Sequence, residues 1–464
     1  MTMTLALALI AGCGDDTDPQ PPTTRSGSRI RAMYFVDDAG DRILRGWFDR
    51  ALGVECTWMA GDHPPCLPPY LGTNTFTDPG CTQPVAVVNP PGACSPPLPA
   101  YMAVWRDPCE EGVVDEVWTV GEPVVLPTVY QYSSRQGTCN PHPTSPMETY
   151  YRAGRRLREG ELVYGDVATL GGGRIRTQAI VGVDGSVVPG YAYDAELGAT
   201  CYLDDDLACF PEGSWTSDAE DDACARPVAM EQTGCGAPGY IVAFDGTNRT
   251  LFTGGELITS DPAVAWEGFT NVDPATGEPS VCAPVRRSPR AGYGLYRGGA
   301  PVGVDLVPVH RELDAGRSIQ GSWRVAGEHR ELVEYVDRER GAPCHPELVA
   351  AGGWRCVPYV NLMIPSFAYA DPACFLPIPI AVGFGPGTED DPSAIRTGDG
   401  CGPAQLRAMY RTGPERPPGT TYFQVAGRPC EPLDQTFMGI PFRVFEVGDP
   451  LALAGVPRLT PIVE

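Results

Sequence analysis

Lysine is absent from this sequence: arginine supplies all 34 basic side chains other than histidine, against 58 acidic ones. The net charge of −24 comes without a concentrated basic stretch, which phosphate binding requires, so nucleic acid is excluded as a partner. No apolar run reaches the roughly 18 to 20 residues that span a bilayer. Gly-x-Ser-x-Gly, His-Glu-x-x-His, Gly-x4-Gly-Lys and Cys-x-x-Cys motifs are also missing. We therefore expect no catalytic residue, cofactor or metal, although this leaves open whether the protein is an enzyme.

Glycine and proline are abundant. The 55 glycines and 50 prolines are too many for helices of ordinary length, whereas 9% aromatic residues are too many for a disordered chain. With 42% hydrophobic residues in a length of 464, the chain can bury a sizeable core and is long enough for about three domains. The composition therefore predicts an all-β fold of short strands joined by turns.

One pattern occurs three times: Asp-x3-Gly-x2-Cys, followed by a second Cys in Cys-x-Pro. The Asp residues are 145 and 143 positions apart, which indicates three internal repeats of about 145 residues. An Arg stands 20 positions before the Asp in each copy, and in the third copy it is Arg317. The three copies are Asp49, Gly53, Cys56 and Cys66; Asp194, Gly198, Cys201 and Cys209; and Asp337, Gly341, Cys344 and Cys356.

Each repeat contains two segments in which an aromatic residue lies three positions before a glycine, so a repeat consists of two related halves. About eight strands per repeat would give two four-stranded blades, and three repeats would make a six-bladed β-propeller. The alternative is three tandem β-sandwich or barrel domains. The predicted domains are a lipoprotein signal at 1–13, a flexible tether at 14–28, and repeat units at 29–165, 166–310 and 311–464.

Sixteen cysteines remain once Cys13 is set aside, and an even number in an exported chain predicts disulfides. Their spacing does not suit zinc. The first two cysteines of each repeat close a loop of hairpin size, which predicts the pairs Cys56–Cys66, Cys201–Cys209 and Cys344–Cys356.

The later cysteines of each repeat are less regularly spaced. The third always begins Cys-x-x-Pro, and we pair it with the fourth, which gives Cys81–Cys94, Cys224–Cys235 and Cys374–Cys401. In the fifth position, Cys139 has a partner in the extra Cys109 of the first repeat. Cys282 and Cys430 stay unassigned.

The repeated carboxylates Asp49, Asp194 and Asp337 allow two interpretations. They could bind calcium, a hard cation that prefers oxygen ligands. Alternatively, each accepts hydrogen bonds from backbone N–H groups in the turn that leads to its glycine, which we favour. Three acidic clusters lack the spacing of a calcium-binding loop and are more typical of solvated loops: Asp204 to Asp206, Asp218 to Asp222, and Glu389 to Asp391.

Tryptophans offer a second set of candidate ligand contacts. Aromatic side chains can line a groove for a sugar or a peptide, although in strands they are more often buried, and we expect most of these to lie in the core. The candidates are Trp47, Trp105, Trp118, Trp215, Trp266 and Trp354.

The N-terminus has the composition of a bacterial lipoprotein signal. Leu5 to Ile10 is apolar, two small residues follow, and Cys13 would become the acylated N-terminal residue. The next residues, rich in Asp, Pro, Thr and Ser, suit a tether. We therefore expect an exported lipoprotein of the cell envelope, at the outer membrane or the cell surface, with the membrane as a partner through its lipid anchor.

The lipobox-like N-terminus, the tether, the threefold motif and the turn from Asp78 to Pro84 together resemble repeat-bearing lipoproteins of unknown function that are common in myxobacteria. The resemblance implies export and a repeated β fold, and it transfers no catalytic residue. We expect a disulfide-stabilised binding or structural scaffold whose ligand is a protein or a glycan. The alternative is a hydrolase or lyase that acts on an extracellular polymer through acidic residues.

Overall fold

The structure, a computed structural model, describes residues 24–88, 98–105, 113–133, 137–158, 160–204, 208–221, 226–232, 235–244, 249–259, 265–267, 283–287, 293–349, 353–358, 362–363, 368–374, 380–384, 392–396, 406–417, 419–423, 430–432, 436–437, 440–451 and 456–464. Every regular element within these ranges is a β-strand. The all-β fold predicted from composition is therefore confirmed.

The strands fall into three groups along the chain. The first third contains β1 Ile30–Asp37, β2 Arg42–Asp49, β3 Val54–Trp58, β4 Cys66–Leu67, β5 Tyr70–Thr73, β6 Thr75–Phe76, β7 Val85–Val88, β8 Tyr101–Val104, β9 Glu116–Val124, β10 Thr128–Ser133, β11 Thr138–Pro143 and β12 Thr149–Arg156. The second contains β13 Gly165–Leu170, β14 Ile175–Gly182, β15 Val187–Asp194, β16 Ala199–Leu203, β17 Cys209–Pro211, β18 Ser214–Thr216, β19 Asp218–Ala219, β20 Val228–Gln232, β21 Tyr240–Phe244, β22 Arg249–Leu257, β23 Ala265–Glu267, β24 Ala283–Arg287 and β25 Tyr293–Pro301. The third contains β26 His310–Leu313, β27 Ile319–Ala326, β28 His329–Asp337, β29 Ala342–Leu348, β30 Trp354–Pro358, β31 Leu362–Met363, β32 Ala368–Tyr369, β33 Ile380–Phe384, β34 Pro392–Arg396, β35 Leu406–Glu415, β36 Tyr422–Phe423, β37 Glu431–Pro432, β38 Thr436–Phe437, β39 Ile440–Leu451 and β40 Arg458–Val463.

The sheets form β-propeller-like repeats. Each third begins with an antiparallel meander: β1-β2-β3-β4, then β13-β14-β15-β16-β17, then β26-β27-β28-β29-β30. A larger sheet follows, ordered β5-β8-β9-β12-β7, then β18-β21-β22-β25-β20, then β31-β33-β39-β35-β34 with β38 beside β39. Three-stranded sheets complete the set: β11-β10-β6, β19-β23-β24 and β32-β36-β37. These sizes differ from two four-stranded blades per repeat, so neither six blades nor three repeats of about 145 residues are confirmed.

The strand register aligns the three meanders. Ile30 pairs with Asp49, Ile175 with Asp194, and Ile319 with Asp337. The residue before each isoleucine is Arg29, Arg174 and Ser318. Arg317 was expected at this position, but Ser318 occupies it. The reason is that the third copy has one residue fewer between its isoleucine and its Asp than the other two copies have.

The C-terminal strand belongs to the first meander. Strand β40 pairs antiparallel with β1 from Met33↔Val463 to Asp37↔Leu459, and it also pairs with the end of β30. It therefore holds beside β1 the place that β13 holds beside β14 and β26 beside β27. The first sheet is completed only when the end of the chain returns to its beginning.

The second cysteine of each meander joins that meander to the next stretch of chain. Its backbone N–H donates to the carbonyl of a residue that leads into the following meander: Cys66 to Val163 at 2.9 Å, Cys209 to Val307 at 3.0 Å, and Cys356 to Pro457 at 3.1 Å. Because Pro457 leads into β40, the third of these contacts returns to the first meander.

A carboxylate from one hairpin tip caps the start of another meander in all three cases. Asp184 accepts the backbone N–H groups of Arg29 and Ile30 at 2.9 and 2.6 Å. Asp41 accepts those of Ser318 and Ile319 at 2.6 and 3.1 Å, and Glu328 accepts that of Gly172 at 2.9 Å. We call β1–β2, β14–β15 and β27–β28 the first, second and third hairpins. The second hairpin thus contacts the first meander, the first hairpin contacts the third meander, and the third hairpin contacts the second meander. These contacts form a closed cycle.

The apolar core is divided in the same way. Three clusters each contain one meander disulfide, and each also takes residues from a neighbouring part of the cycle. Around Cys56 and Cys66 lie Ile30 and Val163; around Cys201 and Cys209 lie Ile175 and Ala326; around Cys344 and Cys356 lie Phe35 and Leu459. The junctions between meanders are therefore packed cores and not linkers.

Residues that precede the first predicted repeat also contact the second meander. Arg25 forms a bridge with Val187, and the backbone N–H of Ser28 donates to the carbonyl of Asp184 at 2.9 Å. The last residues of the predicted tether are thus bound to the second hairpin. The predicted signal at 1–13, including Cys13, lies outside the described residues.

Candidate functional site

The three repeated aspartates are fully buried in turns. In each, Oδ1 accepts the backbone N–H groups two and three residues later, at 2.9 and 3.2 Å for Asp49, 2.9 and 3.2 Å for Asp194, and 3.0 and 3.3 Å for Asp337. The Asp carbonyl accepts from the glycine of the motif at 2.8 Å, and each of these glycines has a positive φ. The Asp-x3-Gly spacing is thus a turn that needs both residue types.

An arginine neutralises each buried carboxylate. Arg29 contacts Asp49 with two nitrogens at 2.8 and 2.7 Å, and Arg174 contacts Asp194 in the same way at 3.0 and 2.8 Å. In the third copy Ser318 cannot do this, and Arg340 reaches Asp337 from the other side of the turn at 2.5 Å. The carboxylate oxygens therefore bind N–H donors, which is the arrangement of a structural ion pair.

The electrostatics of the second pair shows the balance of effects. Burial would raise the pKa of Asp194, but hydrogen bonds from Arg174 and from the backbone N–H groups of Leu197 and Glu196 outweigh it. The net result is a pKa below the usual value for aspartate. The same contact raises the pKa of Arg174. Asp194 is consequently ionised at neutral pH, and its contacts with Arg174 and the backbone stabilise the turn.

Disulfides within the meanders join the cysteines expected from their spacing: Cys56 with Cys66, Cys201 with Cys209, and Cys344 with Cys356. In each case the two cysteines lie on the consecutive strands after the Asp turn. The bridges therefore fasten the last hairpin of each meander inside its core cluster.

The predicted pairs of later cysteines are wrong wherever the structure describes them. Cys81 bonds to Cys139, which corrects both the Cys81–Cys94 and the Cys109–Cys139 pairs. Cys374 bonds to the unassigned Cys430, which corrects Cys374–Cys401. The physical reason is strand pairing: Cys81 and Cys374 lie in the turns after β6 and β32, and the three-stranded sheets that contain these strands bring Cys139 and Cys430 beside them from 58 and 56 residues further on.

Cys235 is disulfide-bonded, and each of the other cysteines in the described ranges is paired with another described cysteine. Its partner therefore belongs to the cysteines outside those ranges, namely Cys13, Cys94, Cys109, Cys224, Cys282 and Cys401. The predicted Cys224–Cys235 pair stays a prediction.

The acidic clusters are engaged by arginines where the structure describes them. Asp204 forms an ion pair with Arg249. Glu220 and Asp221 contact Arg226, and Glu220 also binds Arg297 at 2.6 Å. The cluster from Glu389 to Asp391 lies outside the described residues.

Neither a metal site nor a membrane-spanning helix is found in the described ranges. No group of three or more His, Cys, Asp or Glu side chains within them could hold a metal ion. A search of the same residues for a helix with the length and hydropathy of a membrane span found none.

A row of aromatic side chains runs from the second meander to the neighbouring strand β18, and we call Tyr191, Tyr202, Phe210 and Trp215 the aromatic row. Tyr191 and Tyr202 meet edge to face with ring centroids 6.4 Å apart. Tyr202 pairs with Phe210 across β16 and β17, and the Phe210 and Trp215 rings are 5.6 Å apart. Tyr191, Tyr202 and Trp215 are 62%, 44% and 44% exposed. The row is a partly exposed aromatic surface that begins on the disulfide-fastened second meander and ends on β18 of the next sheet.

Charge and polarity surround this surface. The Arg249 guanidinium lies 5.1 Å from the centre of the Trp215 ring and 5.5 Å from that of Phe210, a cation–π geometry that holds both rings. Glu212, which follows β17, is exposed. Of the candidate tryptophans, Trp47 is buried, and the side chain of Trp266 is outside the described set. The sequence survey did not include the two tyrosines, although the alternation Tyr191-Ala192-Tyr193 was the available signal of an outward face.

Two concave sites lie on the first third of the chain. One, of about 370 Å³, lies between the first meander and β5 and is lined by Trp47, Tyr70, Pro68, Pro69, Arg45 and Glu55, among others. The other, of about 250 Å³, includes Asp115, Glu116, Arg156 and Tyr164. In the smaller site Glu116 contacts Arg156 at 3.4 Å and accepts a hydrogen bond from the Trp118 indole at 3.0 Å, so its polar groups are bound to one another.

Comparisons with known proteins give one family. Residues 5–252, more than half of the chain, match the model described as "Family of unknown function (DUF7481)". Neither the curated proteins nor the solved structures contain a match to the chain.

Proposed function

We propose that this chain, which belongs to the DUF7481 family of unknown function, is a cell-envelope lipoprotein whose β-sheets form a non-catalytic scaffold for binding a glycan. The observation that carries this proposal is the aromatic row, in which the exposed rings of Tyr191 and Tyr202 lie on neighbouring strands of the disulfide-fastened second meander, and the exposed ring of Trp215 on β18 continues the row beyond the buried Phe210. The repeated carboxylates, by contrast, are buried in turns and ion-paired. The polar contacts thus support a scaffold, and the exposed rings support binding.

A glycan fits the aromatic row better than a protein partner does. The C–H faces of a sugar ring pack on aromatic rings, and a row of rings suits successive sugar units. A stable protein interface buries about 800 Å² per partner around an apolar centre, and the row is flanked by the charged side chains Arg249 and Glu212. The net charge of −24 favours a neutral glycan over an anionic one.

The same proposal includes the repeats and the anchor. We propose three repeats closed into a ring by β40, supported by the cyclic contacts of Asp184, Asp41 and Glu328. The ring would be tethered through an acylated Cys13. Labelling of cells with a clickable fatty acid should mark the wild-type protein and not Cys13→Ala, and a variant that is still acylated would exclude this anchor.

Binding through the row is tested with insoluble neutral polysaccharides. We expect the full chain to be retained, and Trp215→Ala to weaken retention about tenfold, because a stacked ring is worth roughly 1 kcal/mol or more. Leu313→Ala, which removes an exposed apolar side chain from β26 in the third meander, is the matched control. Equal retention of Trp215→Ala and wild type, or turnover of any polysaccharide by the wild type, would contradict the proposal.

A further inference from the structure

The larger concave site of the first meander exists because of two small residues. Counted from the buried Asp and the first cysteine, Gly46 corresponds to Tyr191 and Thr57 to Tyr202. In the second meander the two tyrosines stand against each other at this place. In the first, the glycine has no side chain and the threonine is short, and a pocket of about 370 Å³ is open instead.

The third meander carries different groups again at the same place. Glu334 and His345 take the positions of Gly46 and Thr57, and they bind their own neighbours: Glu334 contacts Arg311 at 2.8 Å, and His345 contacts Glu347 at 2.6 Å. Equivalent positions of the three meanders thus form a pocket in the first, an aromatic pair in the second and a charged surface in the third. The pocket of about 370 Å³ lies at the position in the first third.

The walls and the mouth of the pocket have distinct chemistry. Tyr70 supplies aromatic surface and Pro68 and Pro69 supply rigid apolar surface, whereas the Trp47 ring belongs to the core cluster of the first meander. The mouth carries Arg45 and Glu55, which form an ion pair and are both partly exposed. The Arg45 guanidinium lies 5.5 Å from the centre of the Phe35 ring and 6.0 Å from that of Trp354, so neighbouring rings orient it.

We propose that this pocket binds one neutral hexose ring. Its volume is in the range of small-molecule sites, which combine apolar walls with a few placed polar groups. The C–H face of the sugar packs on Tyr70, Arg45 donates hydrogen bonds to hydroxyl oxygens, and Glu55 accepts from hydroxyl groups. This deepens the proposed function by adding a terminal-sugar site separate from the aromatic row.

The test uses the full chain and free sugars. Saturation-transfer NMR and calorimetry with glucose, galactose, mannose and N-acetylglucosamine should show saturable binding of at least one. Thr57→Tyr copies the second meander and should weaken that binding at least tenfold, whereas Thr57→Ser should leave it unchanged. Thr57 is exposed, so both variants should keep the wild-type melting temperature.

The outcomes separate this site from the aromatic row. Trp215→Ala should retain free-sugar binding while it loses polysaccharide retention. Binding of no sugar by the wild type, or equal binding by Thr57→Tyr, would overturn the pocket proposal even if polysaccharide retention through the row holds. Loss of binding in Thr57→Ser as well, with the fold intact, would also overturn it, because that variant leaves the pocket open.

Discussion

Each buried Asp of the repeated motif shows which part of a site local sequence can predict. The turn was predictable because Asp and Gly are four positions apart and the hydrogen bonds stay within that span. The arginine partner was predictable only where the hairpin has standard length. At Asp337 the shorter hairpin replaces the expected Arg317 with Ser318, and Arg340 contacts the carboxylate instead.

His329 is a second buried polar residue, at the junction of the third hairpin with β14. Its Nδ1 is 2.8 Å from the Thr177 hydroxyl, and within the described residues its Nε2 has no hydrogen-bond partner. Burial lowers the pKa of His329 from 6.5 to about 4. Charged groups on the strands that pack here have other contacts: Asp194 binds Arg174 on β14–β15, and Glu328 caps Gly172.

We predict an acid-dependent loss of stability at this residue. The unfolded chain takes up a proton on this side chain near pH 6.5 and the folded chain near pH 4, so the stabilisation is complete above pH 6.5 and is lost as the pH falls to about 4. The loss should be about 3 kcal/mol of unfolding free energy. Urea unfolding at several pH values should show it in the wild type and show it reduced in His329→Gln.

The exposed His310 supplies the control, because His310→Gln should keep the wild-type pH dependence. Carboxylates titrate equally in all three proteins and cancel in the comparison. An identical slope between pH 4 and 6.5 in wild type and His329→Gln would show that this histidine is not the source of the effect.

At the scale of structural elements, the disulfides differ in how many residues separate the two bonded cysteines, and this separation decided which of them could be predicted. Disulfides that close 8 to 12 residues were predictable, because the two cysteines of a hairpin have few other partners nearby. Cys81 and Cys139 are 58 residues apart, and only the three-stranded sheet brings them together. The Cys-x-x-Pro motif correctly marked equivalent cysteines but contained no information about their partners.

Strand β40 is the element whose position the sequence indicated least. Among its six residues Leu459 is buried, and the other five, Ile462 among them, are exposed, so its burial pattern does not mark a core strand. Leu459 packs in the cluster that joins the first and third meanders. Nothing in the local sequence predicts that a C-terminal strand pairs with β1.

We predict that the closing strand contributes strongly to stability. Leu459→Ala should lower the unfolding free energy by about 2 to 4 kcal/mol, because it leaves a cavity in a packed core. Ile462→Ala, on the same strand and 39% exposed, should change it by less than about 1 kcal/mol. Urea unfolding measures both. Similar effects of the two substitutions would mean that β40 is not packed into the core.

At the scale of the whole molecule, the spacing of 145 and 143 residues predicts copies, and the structure shows how the three meanders contact one another. The cycle of caps by Asp184, Asp41 and Glu328 was not predictable, because these carboxylates and the N–H groups that they accept lie 155, 277 and 156 positions apart in the sequence. Function was the least predictable level. The exposed rings and the pocket depend on which positions of a repeated meander vary, and a search for repeated residues does not find them.

The disulfide partner of Cys235 can be predicted by comparing the cysteines of the three thirds of the chain. By the Cys-x-x-Pro motif, Cys224 corresponds to Cys81 and Cys374, so in place of the Cys224–Cys235 pair predicted from sequence alone we expect Cys224 to bond to Cys282, as they bond to Cys139 and Cys430. The bonded partner of Cys235 is then in another part of the chain. We predict a bridge from Cys235 to Cys94, Cys109 or Cys401, which would link two thirds covalently.

Disulfide mapping of unreduced protein by mass spectrometry is the most direct test that the recurring cysteines fasten successive copies of one β module. We predict peptides joined at Cys56–Cys66, Cys201–Cys209 and Cys344–Cys356, together with Cys81–Cys139, Cys224–Cys282 and Cys374–Cys430. A peptide that joins Cys235 to another third should accompany them. Free thiols at Cys56 and Cys66, or a different pairing in each third, would contradict the repeated module.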